Sequence, residues 1–395
     1  DSQYHGPGMP IEGLEYESWL AAHAPLSVLH GPQDEWDAIA VSYTSGTTGD
    51  PKGVVTHHRG AYLNAVSNVT TWHMPHFPRY LWTLPMFHCN GWCFPWTITL
   101  LAGTHVFLRS PKADAIYNAF AEEGVTHLCG APIIMSMISG AAPQDQREFT
   151  QHVKMMTAAA PPPASVIASI EAMGISITHV YGLTEVYGPA VVCAEKPSWR
   201  ELSVDDRANL KARQGVAYEL EEDVRVLNPE TGQPVPWDGQ TLGEIVFRGN
   251  IVMKGYLKEP VETAKAFKDG WFWSGDIAVH HSDGYIEIRD RSKDIIISGG
   301  ENISSIEVEK ALYSHPGVSL AAVVAMPNEK WGEVPCAFVE LAEGAEVTEQ
   351  ALLDHAKSKL ASFQRPKKVI FGELPKTTTG KIRKNELRDR IRDRS

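Results

Sequence analysis

Ala38-Ile39-Ala40-Val41-Ser42-Tyr43-Thr44 reads as a buried strand, and it runs straight into Ser45-Gly46-Thr47-Thr48-Gly49-Asp50-Pro51-Lys52-Gly53. Three glycines and Pro51 leave the second stretch no room for regular structure. Glycine lets a backbone come close to an anion, hydroxyls and free N–H groups supply donors, and Lys52 supplies charge. The pattern is not a Walker A loop, in which Lys follows Gly and precedes Ser or Thr; here Pro51 precedes Lys52 and Gly53 follows it. An ordinary Gly/Ser/Thr surface loop shares this composition, so a phosphate-binding reading needs support from the rest of the chain.

Downstream of this loop, residues 58–72 predict a helix. Strands near 80–84, 104–108, 125–129, 153–157 and 175–181 then alternate with helices near 112–123 and 163–173. That rhythm predicts a largely parallel sheet covered by helices. Upstream, residues 1 to about 36 are loop-rich, with Pro7, Pro10, Pro25 and Pro32 blocking long helices. From about 215 the character changes to short alternating strands, at 224–227, 243–248, 277–279 and 285–289, the pattern of antiparallel or barrel structure. Beyond Arg291, a helix near 304–314, strands near 318–325 and 335–341, a helix near 348–361 and a strand near 367–371 make a separate small α+β unit. The expected organisation is α/β throughout: an α/β part over 1–214, a distorted β-barrel over 215–291, and a small C-terminal domain over 292–395.

Composition excludes several classes. With 395 residues and 43% hydrophobic content the chain can bury more than one core. Its 36 basic against 48 acidic residues give a net charge of −12, which argues against nucleic acid as the main partner but leaves room for a small phosphorylated ligand. Cys89, Cys93, Cys129, Cys193 and Cys336 are odd in number, scattered and without a CxxC pair, so neither a disulfide framework nor a zinc site is expected, and a cytosolic setting follows. The most apolar run, 81–101, is broken by His88, Asn90 and prolines and cannot be a transmembrane span.

Three further segments carry chemistry. Tyr181-Gly182-Leu183-Thr184-Glu185 ends the apolar run Ile175–Val180, and strand ends in an open α/β sheet are where ligands collect. A carboxylate beside a hydroxyl suits Mg2+ next to a phosphate, although a strand exit with a solvated Glu looks the same locally. Trp273-Ser274-Gly275-Asp276 offers a carboxylate able to accept from both hydroxyls of a ribose, or merely a turn Asp. Thr377-Thr378-Thr379-Gly380-Lys381 presents a lysine on a turn, which in isolation reads as the solvated start of a basic helix.

Together, in this order and across the whole chain, these motifs resemble those of the adenylate-forming superfamily, and in particular the AMP-forming acid–CoA ligases. The resemblance implies a large adenylate-forming domain with a small mobile C-terminal lid. Members carry a further upstream segment, so the chain is expected to be the C-terminal three quarters of a longer enzyme. ATP would be held by Thr44, Ser45, Gly46, Thr47, Thr48, Gly49 and Lys52, by Ala159-Ala160-Pro161, and by Tyr181, Gly182, Thr184, Asp276 and Arg291. Glu185 would hold Mg2+, and Thr184 would touch the α-phosphate. Lys381 would reach over the site during adenylation. Lys293 would be the hinge about which the small domain turns, and Gly299-Gly300-Glu301 would then line the path of the CoA thiol.

The segment Pro85-Met86-Phe87-His88-Cys89-Asn90-Gly91-Trp92-Cys93 separates branches of that superfamily. Amino-acid-activating members place Asp after the Phe; His88 stands there instead. The arrangement resembles medium- and long-chain fatty acyl–CoA synthetases and methylmercaptopropionate–CoA ligases. By that resemblance His88 lies near the carboxylate and Trp92 at the acyl tunnel, with Ala159, Tyr187 and Gly188 completing the wall. Core packing is the plainer reading of His88 and Trp92. The implied substrate is a medium-chain or longer fatty acid, or 3-methylmercaptopropionate; another acyl-adenylating activity, or an inactive nucleotide-binding fragment, is the alternative. The implied partners are a carboxylic acid, ATP and CoA, with a homodimer left open.

Overall fold

The structure is a computed structural model that describes residues 13–28, 30–44, 51–158, 164–342, 344–377 and 382–392. Its largest sheet has seven strands in the order Thr104–Phe107, Arg79–Trp82, His127–Gly130, Val153–Thr157, Ile175–Leu183, Gly188–Val192 and Val216–Ala217. The first five run parallel, as the strand–helix rhythm predicts. Leu81, Leu128, Met155 and Ile177 stand in register and face one side. There they pack against Ile116 and Phe120 of helix Ala113–Glu122, Ile134 and Ile138 of Pro132–Ser139, and Ile167 and Ile170 of Ala164–Ala172. Tyr80, Trp82, Cys129 and Met156 face the other side, against Trp72, Phe94 and Ile98. Two covered faces explain why His127–Gly130 is buried at every position. The C-terminal ends of these strands feed the segments at 83–88, 158 and 184–185, so three candidate site segments leave the sheet along one edge.

The opening stretch departs from expectation. Ala38–Tyr43 is not a buried member of the parallel sheet: it pairs antiparallel with Gly53–His57, which in turn pairs with Gly255–Tyr256. Val41 and Tyr43 are exposed and only Ser42 is buried, because the strand forms the edge of a three-stranded sheet. Regular structure also resumes earlier than the composition suggests, at Gly53, ahead of helix His58–Thr71.

The antiparallel region is a five-stranded sheet in which Asp223–Leu227, Gly243–Arg248, Trp271–His280 and Phe267–Lys268 are neighbours in that order, with Ile286–Arg291 on Trp271–His280. Trp273–Asp276 therefore lies inside a ten-residue strand rather than ahead of one. Beyond it, Val318–Asn328 and Gly332–Leu341 form a long hairpin, flanked by Ile296–Ser298 with Glu301–Ile303 and by the parallel Lys368–Phe371. Alternation along this hairpin is strict. Ala321, Val323, Ala337 and Val339 meet helices Ser305–Tyr313 and Glu349–Lys359, whereas Ala322, Val324, Cys336 and Phe338 meet Leu387 and Ile391 of helix Lys384–Arg392. No helix among the described residues is long and apolar enough to cross a membrane.

Candidate active site

The mouth of the Gly-rich loop is pinched by its own backbone. Tyr43 pairs with Gly53, the Thr44 N–H donates to the Lys52 carbonyl at 3.0 Å, and the Lys52 N–H donates to Thr44 Oγ1 at 3.4 Å. Ser45, Gly46, Thr47, Thr48 and Gly49 lie outside the described residues. Lys52 is half-buried; its ammonium sits 2.6 Å from Glu262 and 5.0 Å from the centre of the Tyr256 ring. Glu262 also takes Lys265 at 2.8 Å, and these two lysines, Lys265 first, hold its carboxyl down at about 2.

Thr184 and Glu185 follow the strand Ile175–Leu183 directly. The Glu185 carbonyl accepts from Met253 N–H at 2.7 Å, and its carboxylate accepts from the Tyr256 hydroxyl at 2.9 Å. Burial pushes the Glu185 carboxyl above its ordinary value, against the pull of the Tyr256 hydrogen bond and of the Arg291 charge. A half-buried carboxylate held by one neutral donor suits a cation: Mg2+ arriving with a nucleotide needs few protein oxygens, because phosphates and water supply the others. No cluster of three His, Cys, Asp or Glu able to hold a metal occurs among the described residues. Thr184 Oγ1 lies 3.4 Å from Cys89 Sγ, which joins the Thr-Glu turn to the segment carrying His88.

Asp276, 6% exposed, receives the Tyr181 hydroxyl on Oδ2 at 2.7 Å and Arg291 Nε on Oδ1 at 3.2 Å. Asp276 and Arg291 stand opposite one another in register, so the sheet itself sets the pair. Gly182 has no room for a side chain: a Cβ there would sit 1.7 Å from the Gly188 carbonyl oxygen. Tyr181, Gly182, Thr184, Glu185, Asp276 and Arg291, scattered over 111 positions of sequence from 181 to 291, thus share one site.

On the opposite side the chain is bent unusually. Cys89, Asn90, Gly91, Trp92 and Cys93 all have positive φ, between 42° and 62°, and form a left-handed turn. Each non-glycine residue there costs roughly 1–2 kcal/mol. His88, half-buried, immediately precedes it. Tyr187 (φ 61°) and Gly188 (φ 122°) make a second such bend, and a Cβ on Gly188 would lie 3.1 Å from Trp92 Cα. Trp92 is 7% exposed among Tyr80, Trp82 and Phe94; Tyr187 is fully buried with Ala61 and Cys93. Ala159, Ala160 and Pro161 lie outside the described residues. Two residues that motif reading passed over touch both bends. Asn68 Nδ2 donates to the Trp92 carbonyl at 3.0 Å, and Asn64 Nδ2 to the carbonyls of Tyr187 at 3.3 Å and Pro189 at 3.2 Å. The available signal was a polar stripe, Asn64, Ser67 and Asn68, on the same helix face as Ala61 and Ala65.

Lys293 lies between residues tied to the C-terminal region: Asp290 accepts from the Ser305 N–H, and Asp294 from Arg388. Burial, then the neighbouring Arg291 charge, lowers the Lys293 ammonium to about 8. Gly299 and Gly300, both with positive φ, form the two-residue turn between Ile296–Ser298 and Glu301–Ile303, and Gly299, Gly300 and Glu301 are exposed. A Cβ on Gly299 would meet the Trp331 ring at 2.7 Å. Lys381 lies outside the described residues, next to Ile382, which bridges back to Lys376.

Comparison with known proteins shows the family. The AMP-binding enzyme family matches residues 8–257, and the AMP-binding enzyme C-terminal domain matches residues 307–381. The chain is 52% identical to the peroxisomal acetate/butyrate–CoA ligase of Arabidopsis thaliana and 50% identical to an acetate–CoA ligase of Humulus lupulus; each match spans 96% of this chain and 68% of the relative. It is 49% identical to the peroxisomal trans-cinnamate:CoA ligase of Petunia hybrida over 95% of this chain and 66% of that protein. Among solved structures it resembles ATP-bound MatB from Rhodopseudomonas palustris (TM-score 0.82, 29% identity, 95% of this chain and 72% of that one). It also resembles o-succinylbenzoate–CoA synthetase from Bacillus subtilis in complex with ATP and magnesium ion (TM-score 0.79, 26% identity, 94% and 74%). The peroxisomal relatives overturn the cytosolic expectation. Five buried free cysteines are compatible with any reducing surroundings, so the residues behind that expectation never discriminated between compartments.

Proposed function

Since the chain belongs to the AMP-binding enzyme family, and within it to the AMP-forming acid–CoA ligases, we propose that it activates a short-chain acid of the acetate-to-butyrate class. The observation we read this from is the burial of Trp92 in an aromatic cluster against the Gly188 bend; an acid pocket walled by residues packed this tightly would leave little room for a long acyl chain. The names of the acetate- and butyrate-activating relatives support it over the fatty-acid or methylmercaptopropionate substrate expected from the motif at 85–93. The cinnamate-activating relative favours a compact aromatic acid as the second reading.

The chemistry runs through an acyl-adenylate. A carboxylate oxygen attacks the α-phosphorus of ATP, and the bond to pyrophosphate breaks. Negative charge spreads over phosphoryl oxygens, so the protein's part is positioning and electrostatic stabilisation rather than covalent attack. In our reading Asp276 accepts the ribose hydroxyls. Its two oxygens, now occupied by Tyr181 and Arg291, are oriented by those same partners. Lys52 leaves Glu262 for the phosphates, Thr184 donates to the α-phosphate, and Glu185 is the carboxylate suited to Mg2+. That ion would neutralise charge on the phosphates. His88 lies toward the acid carboxylate, and Lys381 donates at the α-phosphate. The C-terminal region then turns about Lys293, withdrawing Lys381 and bringing Gly299-Gly300-Glu301 to the path of the CoA thiol. The thiol sulfur attacks the anhydride carbonyl, its proton passes to solvent, and AMP leaves.

Chain-length profiles of wild type and Trp92→Ala, measured beside thermal melts, test the substrate reading. A wall residue gives a shift toward longer acids: at about 0.8 kcal/mol per buried methylene, two or three more change relative kcat/KM roughly 10- to 60-fold. A core residue instead costs about 3–5 kcal/mol and lowers activity on all acids in parallel, and that outcome sinks the wall.

A further inference from the structure

We propose that Asn64 and Asn68 are a paired clamp that holds the two left-handed bends of the acid-facing wall and so determines which acids are selected. The proposal rests on the reading that Trp92 and Tyr187–Gly188 face the acid. The two asparagines lie one helical turn apart on His58–Thr71, fully buried, on a face otherwise made of Gly60, Ala61, Ala65 and Ser67. Each spends its amide donor on backbone carbonyls of a wall bend: Asn68 on Trp92, with Thr97 Oγ1 at 3.2 Å, and Asn64 on Tyr187 and Pro189.

Those carbonyls belong to backbone that does not hold its own shape. Four of the five residues at 89–93 are not glycine yet adopt positive φ, as does Tyr187, and L residues leave that region unless neighbours fix them. The bends also lean on each other. Cys93 Sγ reaches the Tyr187 carbonyl at 3.4 Å, and Ser42 Oγ donates to Asn90 Oδ1 at 3.0 Å from the strand that feeds the Gly-rich loop. Asn64 Oδ1 and Asn68 Oδ1 are buried without a hydrogen-bond partner among the described residues. A helix position serving packing alone would avoid that cost with an apolar side chain, so the donors are what the position uses. Loss of either amide frees a bend, and because the bends touch at Gly188 and Trp92, the space between them changes shape.

The test is the ratio of kcat/KM for butyrate to that for acetate in wild type, Asn64→Ala, Asn68→Ala and Ser67→Ala. Ser67 is a suitable control because it is buried on the same helix but accepts from Leu220 N–H, away from both bends. We expect each asparagine variant to move the ratio by roughly five-fold or more, a size reached when one methylene is accommodated differently, with the KM for ATP little changed. Ser67→Ala should lower the melting temperature and leave the ratio alone. An unchanged ratio in both asparagine variants, or the same shift in all three, overturns the clamp. If the alanine variants do not fold, Thr97→Val removes one acceptor of the Asn68 amide, along with the hydroxyl's own bonds to the Ala65 and Cys93 carbonyls, and leaves both asparagines in place; it should shift the ratio in a smaller step, and a flat ratio there also overturns the clamp. Trp92→Ala separates the two levels of the account. A flat profile in Trp92→Ala defeats the wall reading, whereas a shift there with none in the asparagine variants defeats the clamp alone.

Discussion

The Tyr256 hydroxyl donates a 2.9 Å hydrogen bond to the Glu185 carboxylate, while the Lys52 ammonium lies over the face of the same ring. One tyrosine thus touches both the carboxylate suited to the metal and the lysine of the Gly-rich loop. Tyr256→Phe should raise the Mg2+ concentration for half-maximal activity roughly three- to ten-fold, the net worth of one ordinary hydrogen bond at a partly exposed carboxylate. Burial already lifts the Glu185 carboxyl, so the variant should also lose Mg2+ response at a higher pH than wild type as pH falls. Glu185→Gln should have the larger effect with the fold intact. A Mg2+ titration unchanged in both variants would remove Glu185 from the metal.

The Lys52 ammonium is paired with the Glu262 carboxylate at 2.6 Å. Reaching a phosphate means giving up that partner. Glu262→Gln should therefore lower the KM for ATP, by roughly two- to five-fold because partly exposed pairs are weak. Steady-state kinetics at low and high salt check this: the gain should shrink as salt screens the pair in the wild type. A raised KM would mean that Glu262 orients Lys52 instead of competing for it.

Glu221 carries a different signature, remote from the chemistry. It is 6% exposed, neither carboxylate oxygen has a hydrogen-bond partner among the described residues, and burial, then Glu222 and Asp223, lift it to about 8. A carboxyl with a raised folded pKa keeps a proton that the unfolded chain loses. Its stabilising share is present below pH 4.5 and drains away as pH rises toward 8, on the order of a few kcal/mol in all. Glu221→Gln should raise the melting temperature at pH 8 and change it little near pH 5. Equal effects at both pH values would show that the carboxyl is solvated or paired in solution.

Much of this was legible locally. The five parallel strands and the helices Ala113–Glu122 and Ala164–Ala172 fall within a few residues of the periodicity, since most of those strands are buried on both faces, whereas Phe94–Leu100 and Pro132–Ser139, apolar runs too short to show a helical period, were not expected. The edge strand Ala38–Tyr43 misled, because an apolar run does not say whether its neighbours lie on one side or both. In the site, Thr184, Glu185, Asp276 and Arg291 were found through motifs. Tyr256 and Glu262 were not, because their partners Glu185 and Lys52 stand 71 and 210 positions away. The left-handed turn at 89–93 was equally hidden: only Asn90 and Gly91 in it adopt positive φ readily, and side chains that hold it come from another helix.

Lys381 should serve one half-reaction only. Lys381→Ala should cut acyl-adenylate formation by roughly 10²–10³, the scale for losing one donor to transition-state charge. Thioester formation from supplied acyl-AMP should be nearly untouched, because the proposed turn about Lys293 would withdraw the lysine before CoA attacks. Single-turnover assays of each half-reaction decide, and equal losses in both would contradict that motion.

Acid-dependent ATP–pyrophosphate exchange, run with acetate, butyrate, octanoate, palmitate, trans-cinnamate and 3-methylthiopropionate, tests the central claim most directly. It reports adenylate formation alone, without CoA. The account predicts exchange that requires both Mg2+ and an acid, with the highest kcat/KM for acetate or butyrate. Exchange absent with every acid, or greatest with palmitate, would contradict it.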